Sequence, residues 1–305
     1  MTNKGVIPFK FTDAHSQFVE IGDFEWKTNG SECGGVTSES DRCSMIGCYP
    51  KKGGRTVLYS CLAMGTLAAV NKTNQFSYHL WNGAFGNNFR WFCVHYEKQK
   101  VSKALAAVGH PKPKDAIGEV YVEIVDSLLV DLSDPENKLI EDFADAAKVK
   151  IEGHQLWLSK KVLGANSPFF AALFKNHFKR GTQDFYDVKD LGKLNLEKFL
   201  QFIGIVHGLQ MPIDGASVGD LLELAVFFQC KMVLRHCENF LRTAPVSEVS
   251  LTEKLLLADH FKLNALMMET VYKMSNEELR KLRLPSGISP LVAALMAQKF
   301  RFMDP

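Results

Sequence analysis

The chain has 305 residues, 46% hydrophobic and 23% charged, with 36 Lys+Arg against 34 Asp+Glu. A formal net charge of +2, with its paired lysines (Lys51-Lys52, Lys160-Lys161) isolated from one another, argues against a surface dedicated to nucleic acid or to an anionic membrane. This length predicts two domains of roughly 150 residues, each burying its own core.

The N-terminal stretch has no apolar run of signal-peptide length. The longest charge-free, mostly apolar run, Val57 to Asn71, is shorter than the roughly 20 residues a membrane-spanning helix needs. The expectation is a cytoplasmic or nuclear protein. Seven cysteines without a secretory leader predict reduced thiols. Five of them (Cys33, Cys43, Cys48, Cys61, Cys93) crowd the first hundred residues, yet the closest pair, Cys43 and Cys48, has no second Cys or His pair nearby to complete a structural zinc site. No metal and no cofactor is expected.

From Phe9 to Val130 the sequence runs in short aromatic and β-branched stretches broken by Gly, Asn and Pro, the pattern of strands and turns. FVEIGDFEWK, RTVLYSCLAM, NQFSYHLW, NFRWFCVHYE and IGEVYVEIV are the strand candidates. In the fourth, a period of two puts Trp91, Cys93 and His95 on one face and Phe92, Val94 and Tyr96 on the other. Strands without intervening helices predict an antiparallel sandwich or barrel, which KALAAVGHPKPKD interrupts with a short helix and a Pro-marked loop.

The acidic, Pro-containing DLSDPENK, Asp131 to Lys138, marks the expected boundary. Beyond it KVKIEG and HQLWLS predict two short strands meeting near Gly153, and helices follow. Ser167 is placed to cap a helix with Pro168 at its first position, with Phe169, Leu173 and Phe174 on the core side. Val218, Leu221, Leu222, Ala225 and Phe228 recur at helical spacing, and Ser250/Glu253 and Ser275/Glu278 are capping boxes. Ser289 and Pro290 start a final helix.

In order along the chain stand Lys148-Val-Lys-Ile-Glu-Gly153, Leu156-Trp-Leu-Ser-Lys-Lys-Val-Leu163 and Ser167-Pro-Phe-Phe-Ala-Ala-Leu-Phe174. Asp187-Val-Lys-Asp190, Phe199-Leu-Gln-Phe-Ile203, Leu221-Leu-Glu-Leu-Ala225 and Cys237-Glu-Asn-Phe-Leu241 follow. Taken together, Asp145 to Leu241 resembles a BTB (POZ) domain, nearest the nematode-type branch of that family. The resemblance implies an α+β multidomain protein. By that resemblance residues 1–130, a β-rich, antiparallel sandwich-like domain, would be a MATH-like substrate-recognition domain, and 131–144 a linker with the first BTB helix. Residues 145–242 are the α/β BTB domain, and 243–305 a C-terminal helical extension.

The resemblance further implies an adaptor without catalytic chemistry, a homodimer through its BTB domain that docks protein partners. As a substrate-recognition subunit it would engage a cullin scaffold of a ubiquitin ligase, with no nucleic acid or membrane partner. Two positions depart from the family. Ser159-Lys160 replaces the His-Lys of many relatives, and the register that carries hydrophobic-x-Glu for cullin docking reads Phe178-Lys179-Arg180. The candidate partner-binding residues are therefore Phe178, Lys179 and Arg180, the apolar anchor kept and the acid reversed. Two other readings compete: a dimeric scaffold or transcription-associated protein without ligase contact, and a cysteine hydrolase pairing Cys61 or Cys93 with His79 or His95. The hydrolase needs nucleophile and base within hydrogen-bond reach.

Overall fold

A computed structural model describes residues 2–10, 16–29, 41–70, 76–97, 117–176, 186–187, 195–282, 287 and 289–303. The chain divides into two compact units, Met1–Ala165 with Ala171–Pro212, and Asn166–Phe170 with Ile213–Pro305.

The first unit opens with two antiparallel four-stranded sheets. One has the order β1 (Lys4–Lys10), β8 (Ile117–Asp131), β5 (Val57–Val70), β6 (Phe76–Gly86), and the other β2 (Val19–Ile21), β3 (Phe24–Asn29), β4 (Asp41–Pro50), β7 (Trp91–Glu97). Alternation selects what each strand buries. Phe24 and Trp26 of β3 are fully buried with Ile46 and Cys48 of β4, Tyr59, Cys61 and Ala63 of β5, and Phe85 of β6. In β7 Phe92 and Val94 share one face, as the period of two predicts, and that face turns inward. Trp26 meets Phe85 edge-on at 5.2 Å, locking one sheet against the other. The expected antiparallel sandwich is present.

Two strands had no counterpart in the sequence reading. Pro8 removes a ladder donor from β1, which is tolerated because β1 is the edge of its sheet. In β4 the inward register includes a polar residue, Ser44, and Gly47 interrupts the outer face, so the hydrophobic alternation is weak. KALAAVGHPKPKD lies outside the described residues.

Where residues 131–144 were expected to hold a helix, the chain runs as successive turns. Asp131 Oδ1 accepts from the Ser133 N–H, Asp134 Oδ1 from Glu136 N–H, Asn137 Oδ1 from Leu139 N–H and Asp142 Oδ1 from Asp145 N–H. Short polar side chains that bond the backbone just ahead of them compete with helix formation, and Pro135 reinforces the effect.

Then β9 (Ala146–Ile151) and β10 (His154–Ser159) pair as a hairpin through Glu152 and Gly153, both left-handed with φ of 46° and 80°. Glu152 bears that conformation while its carboxylate accepts the Leu196 N–H at 3.2 Å. The short β11 (Tyr186–Asp187) lies parallel to β9, giving the order β10-β9-β11. Helices α1 (Lys160–Asn166), α2 (Pro168–Asn176) and α3 (Leu196–Val206) complete this stretch. From Phe199 to Val206 every residue of α3 is buried, the mark of a core helix.

The second unit holds α4 (Val218–Phe227), α5 (Lys231–Thr243), α6 (Leu251–His260), α7 (Asn264–Lys273), α8 (Asn276–Lys281) and α9 (Pro290–Met303). Val218, Leu221, Leu222, Ala225 and Phe228 are all buried, and both capping boxes form. Ser217, by contrast, makes no side-chain cap of α4 and bonds Asp214 instead. Ser167 accepts the Phe170 N–H and donates to the Phe228 carbonyl. Phe170, not Phe169, is the fully buried ring there; it stacks on Phe228 at 4.7 Å, with Phe169 edge-on to both.

Two lysines close helix C-termini. Lys254, almost wholly buried, donates to the Ala244 carbonyl beyond α5; burial, with Lys273 nearby, pulls its pKa down. Lys299 of α9 donates to the carbonyls of Val271, Tyr272 and Met274 at the end of α7, where the helix dipole favours a cation. Lys299→Met leaves those carbonyls without this donor. It is expected to cost about 1–3 kcal/mol and to raise amide exchange at both α7 and α9. Unchanged exchange in α9 would contradict the staple.

Candidate protein-docking surfaces

The second sheet exposes an aromatic face built on alternation. Lys27 and Trp91 point outward because Trp26 and Phe92 point in. Gly47 pairs with both Lys27 and Trp91, and a Cβ there would sit 2.9 Å from the Trp91 ring, so the glycine provides the seat on which the indole lies. Tyr49 meets Trp91 edge-on at 5.8 Å and Phe18 at 5.7 Å. The Lys27 ammonium stands 4.7 Å from the Phe18 ring centre, 5.1 Å from Tyr49 and 5.3 Å from Trp91. Each such cation–π contact is worth about 0.5–1 kcal/mol at an exposed site. Phe18 is 52% exposed. A preordered aromatic surface of this kind is the type on which partner side chains find most of their binding energy.

Phe178, Lys179 and Arg180 lie outside the described residues. The chain on either side of them is held: Phe174 in α2 and Tyr186 in β11 meet edge-on, with ring centres 5.1 Å apart. Beside the hairpin stands Phe143, 81% exposed, two residues before the buried Asp145.

Among the described residues, Cys61 and His79 of the hydrolase reading are not brought together. Cys61 is fully buried in the sandwich, and His79 pairs with Leu67, six residues along β5 and so roughly 20 Å away. Cys93 belongs to the other sheet, and the His95 side chain lies outside the described residues. Burial raises the pKa of Cys48 and Cys230 and pushes Cys237 up to about 12, away from the ionised form a nucleophile requires. Among the described residues no cluster of three or more His, Cys, Asp or Glu is placed to hold a metal ion, and no helix is long and apolar enough to cross a membrane.

Of these features the sequence reading put Trp91 on the face opposite Phe92 and Val94 without assigning which face is outward, and it did not identify the companions of Trp91. Phe18, Lys27 and Tyr49 come from different segments, and only the strand order β2-β3-β4-β7 gathers them.

Comparison with known proteins identifies part of this architecture. The BTB/POZ domain family matches residues 137–245. Kelch-like protein 26 of Homo sapiens is 32% identical over 92 residues, covering 30% of this chain and 14% of that protein. Kelch-like protein 38 of Mus musculus is 28% identical over 119 residues (37% and 20%), and Kelch-like protein 40 of Xenopus tropicalis is 28% identical over 102 residues (33% and 16%). The chain thus spans 14% to 20% of the length of these curated relatives. Residues 137–245 are a BTB/POZ domain.

Proposed function

From that BTB/POZ domain and the antiparallel sandwich ahead of it, we propose that the protein is a non-enzymatic adaptor. It acts as a dimeric substrate-recognition subunit that brings a recruited protein to a cullin-type ubiquitin ligase. The family match at residues 137–245 carries the reading, since such domains mediate protein–protein contact. The sandwich serves as a MATH-type recognition domain, and its aromatic face around Lys27 receives the recruited segment. No arrangement of nucleophile and base among the described residues favours a catalytic alternative.

Homodimerisation rests on the BTB domain and on Phe143, whose exposed ring a second copy covers. Light scattering of the full chain at micromolar concentration is expected to give twice the monomer mass, and Phe143→Glu to give the monomer. A wild-type monomer would refute the dimer. Recruitment is tested by immunoprecipitation with mass spectrometry: Trp91→Ala is expected to lose the substrate proteins while keeping cullin. An unchanged set of captured proteins would place recruitment elsewhere.

One observation favours the second reading, a dimeric scaffold or transcription-associated protein without ligase contact. Arg180 stands where the docking acid of relatives would be. The cullin measurement that closes the Discussion separates the two.

A further inference from the structure

The sequence reading marks DLSDPENK as the domain boundary within a 131–144 linker, and a flexible linker there would leave the sandwich free to move against the BTB sheet. We infer instead that the sandwich and the three-stranded BTB sheet form one mechanically continuous body, locked by Met211. The inference concerns the chain alone and does not depend on the adaptor reading.

The connector is bonded on both sides. Leu132, fully buried, gives its N–H to the Thr56 carbonyl of the sandwich at 3.0 Å, and its own carbonyl accepts the Trp157 N–H of β10 at 2.6 Å. The Trp157 carbonyl in turn accepts from the Asn137 side chain at 3.1 Å. Thr56 donates to Asp131, the last residue of β8, at 2.8 Å. The segment is therefore tied to the sandwich at its start and to the hairpin within a few residues. A flexible linker would have backbone groups facing water along this stretch.

A second closure lies where α3 faces the sandwich. Met211 is 7% exposed and fills the space over two glycines, one from each side. A Cβ on Gly86, at the end of β6, would fall 2.9 Å from the Met211 methyl carbon; one on Gly204, inside α3, would fall 2.6 Å from its sulfur. Glycine within a helix costs about 1 kcal/mol relative to alanine, a cost that the close approach of Met211 explains. An unbranched thioether suits this irregular gap.

Polar contacts border the plug. Gln201, 1% exposed, donates to the Pro212 carbonyl at 2.7 Å and accepts from Asn88 of the β6–β7 turn at 3.4 Å. Arg90 pairs with Glu197 at 3.0 Å on the exposed side. The connector bonds, the Met211 plug and the Gln201–Asn88 and Arg90–Glu197 contacts together oppose rotation of the sandwich against the BTB sheet. A protein bound to the sandwich would consequently be held at one fixed position relative to the BTB sheet.

Hydrogen–deuterium exchange of the full-length chain tests this through the two amides that close the connector, in peptides covering 129–137 and 154–159. In the wild type both are expected to exchange within ten-fold of the central β5 amides. Met211→Ser is expected to speed both at least ten-fold while leaving α5 unchanged, and Met211→Leu to stay near wild type. Wild-type amides exchanging a hundred-fold or more faster than β5 would overturn the inference whatever the variants do. Unaltered rates in Met211→Ser would remove Met211 as the lock.

Discussion

Phe170→Ala is expected to destabilise the helical unit by about 3–5 kcal/mol, the range for truncating a buried phenylalanine. The ring is fully buried and nearly parallel to Phe228, 16° apart in plane, and its own N–H is held by Ser167. Its removal opens a cavity where three other rings, Phe169, Phe227 and Phe228, already constrain one another and cannot collapse freely. Phe169→Ala, at a half-buried position, should cost clearly less. Urea unfolding followed by circular dichroism measures both. A loss below about 1 kcal/mol for Phe170→Ala would mean that the site repacks.

Acid should weaken the first unit through His207. Burial holds its imidazole down at about 4, from an ordinary 6.5, against the opposing pull of the Asp145 carboxyl. The Nε2 atom is buried without a hydrogen-bond partner among the described residues, so a proton there would be enclosed without an acceptor. Because the folded-state value lies below the unfolded one, the unfolded chain binds the proton first as pH falls. The stabilisation is complete above pH 6.5, declines below it and is gone below about pH 4. Its size is about 3 kcal/mol. Unfolding free energies at pH 7.5 and 4.5 should differ less in His207→Gln than in the wild type. Equal pH dependence in both proteins would assign the acid sensitivity to other groups.

Legibility in the sequence followed the range of the interactions involved. The capping boxes at Ser250 and Ser275 and the hairpin at Glu152-Gly153 are set by residues within four positions, and all three form. Ser167 was readable as a cap, but its bond to the Phe228 carbonyl, 61 residues away, was not. The same limit shifted the buried ring from Phe169 to Phe170, since the core side of α2 is decided by Phe227 and Phe228. Lys254 and Lys299 carry no local sequence signal, and their roles at helix ends depend on which C-terminus each is folded against. The aromatic face is the extreme case. Its four residues have no local pattern in common, and Gly47, which seats the indole, reads only as a break in β4.

The proposed docking of the BTB domain to a cullin scaffold is tested most directly by calorimetry against a cullin N-terminal domain. In the proposed contact Phe178 would supply the apolar anchor, worth about 1.5–3 kcal/mol when buried. Arg180 in place of an acid costs roughly 2–5 kcal/mol if its counterpart donors are buried. These opposed effects give weak wild-type binding, lost in Phe178→Ala and tightened in Arg180→Glu. Tight wild-type binding indifferent to both substitutions would show that this loop is not the contact, and absence of binding even in Arg180→Glu would contradict the ligase role and leave the scaffold.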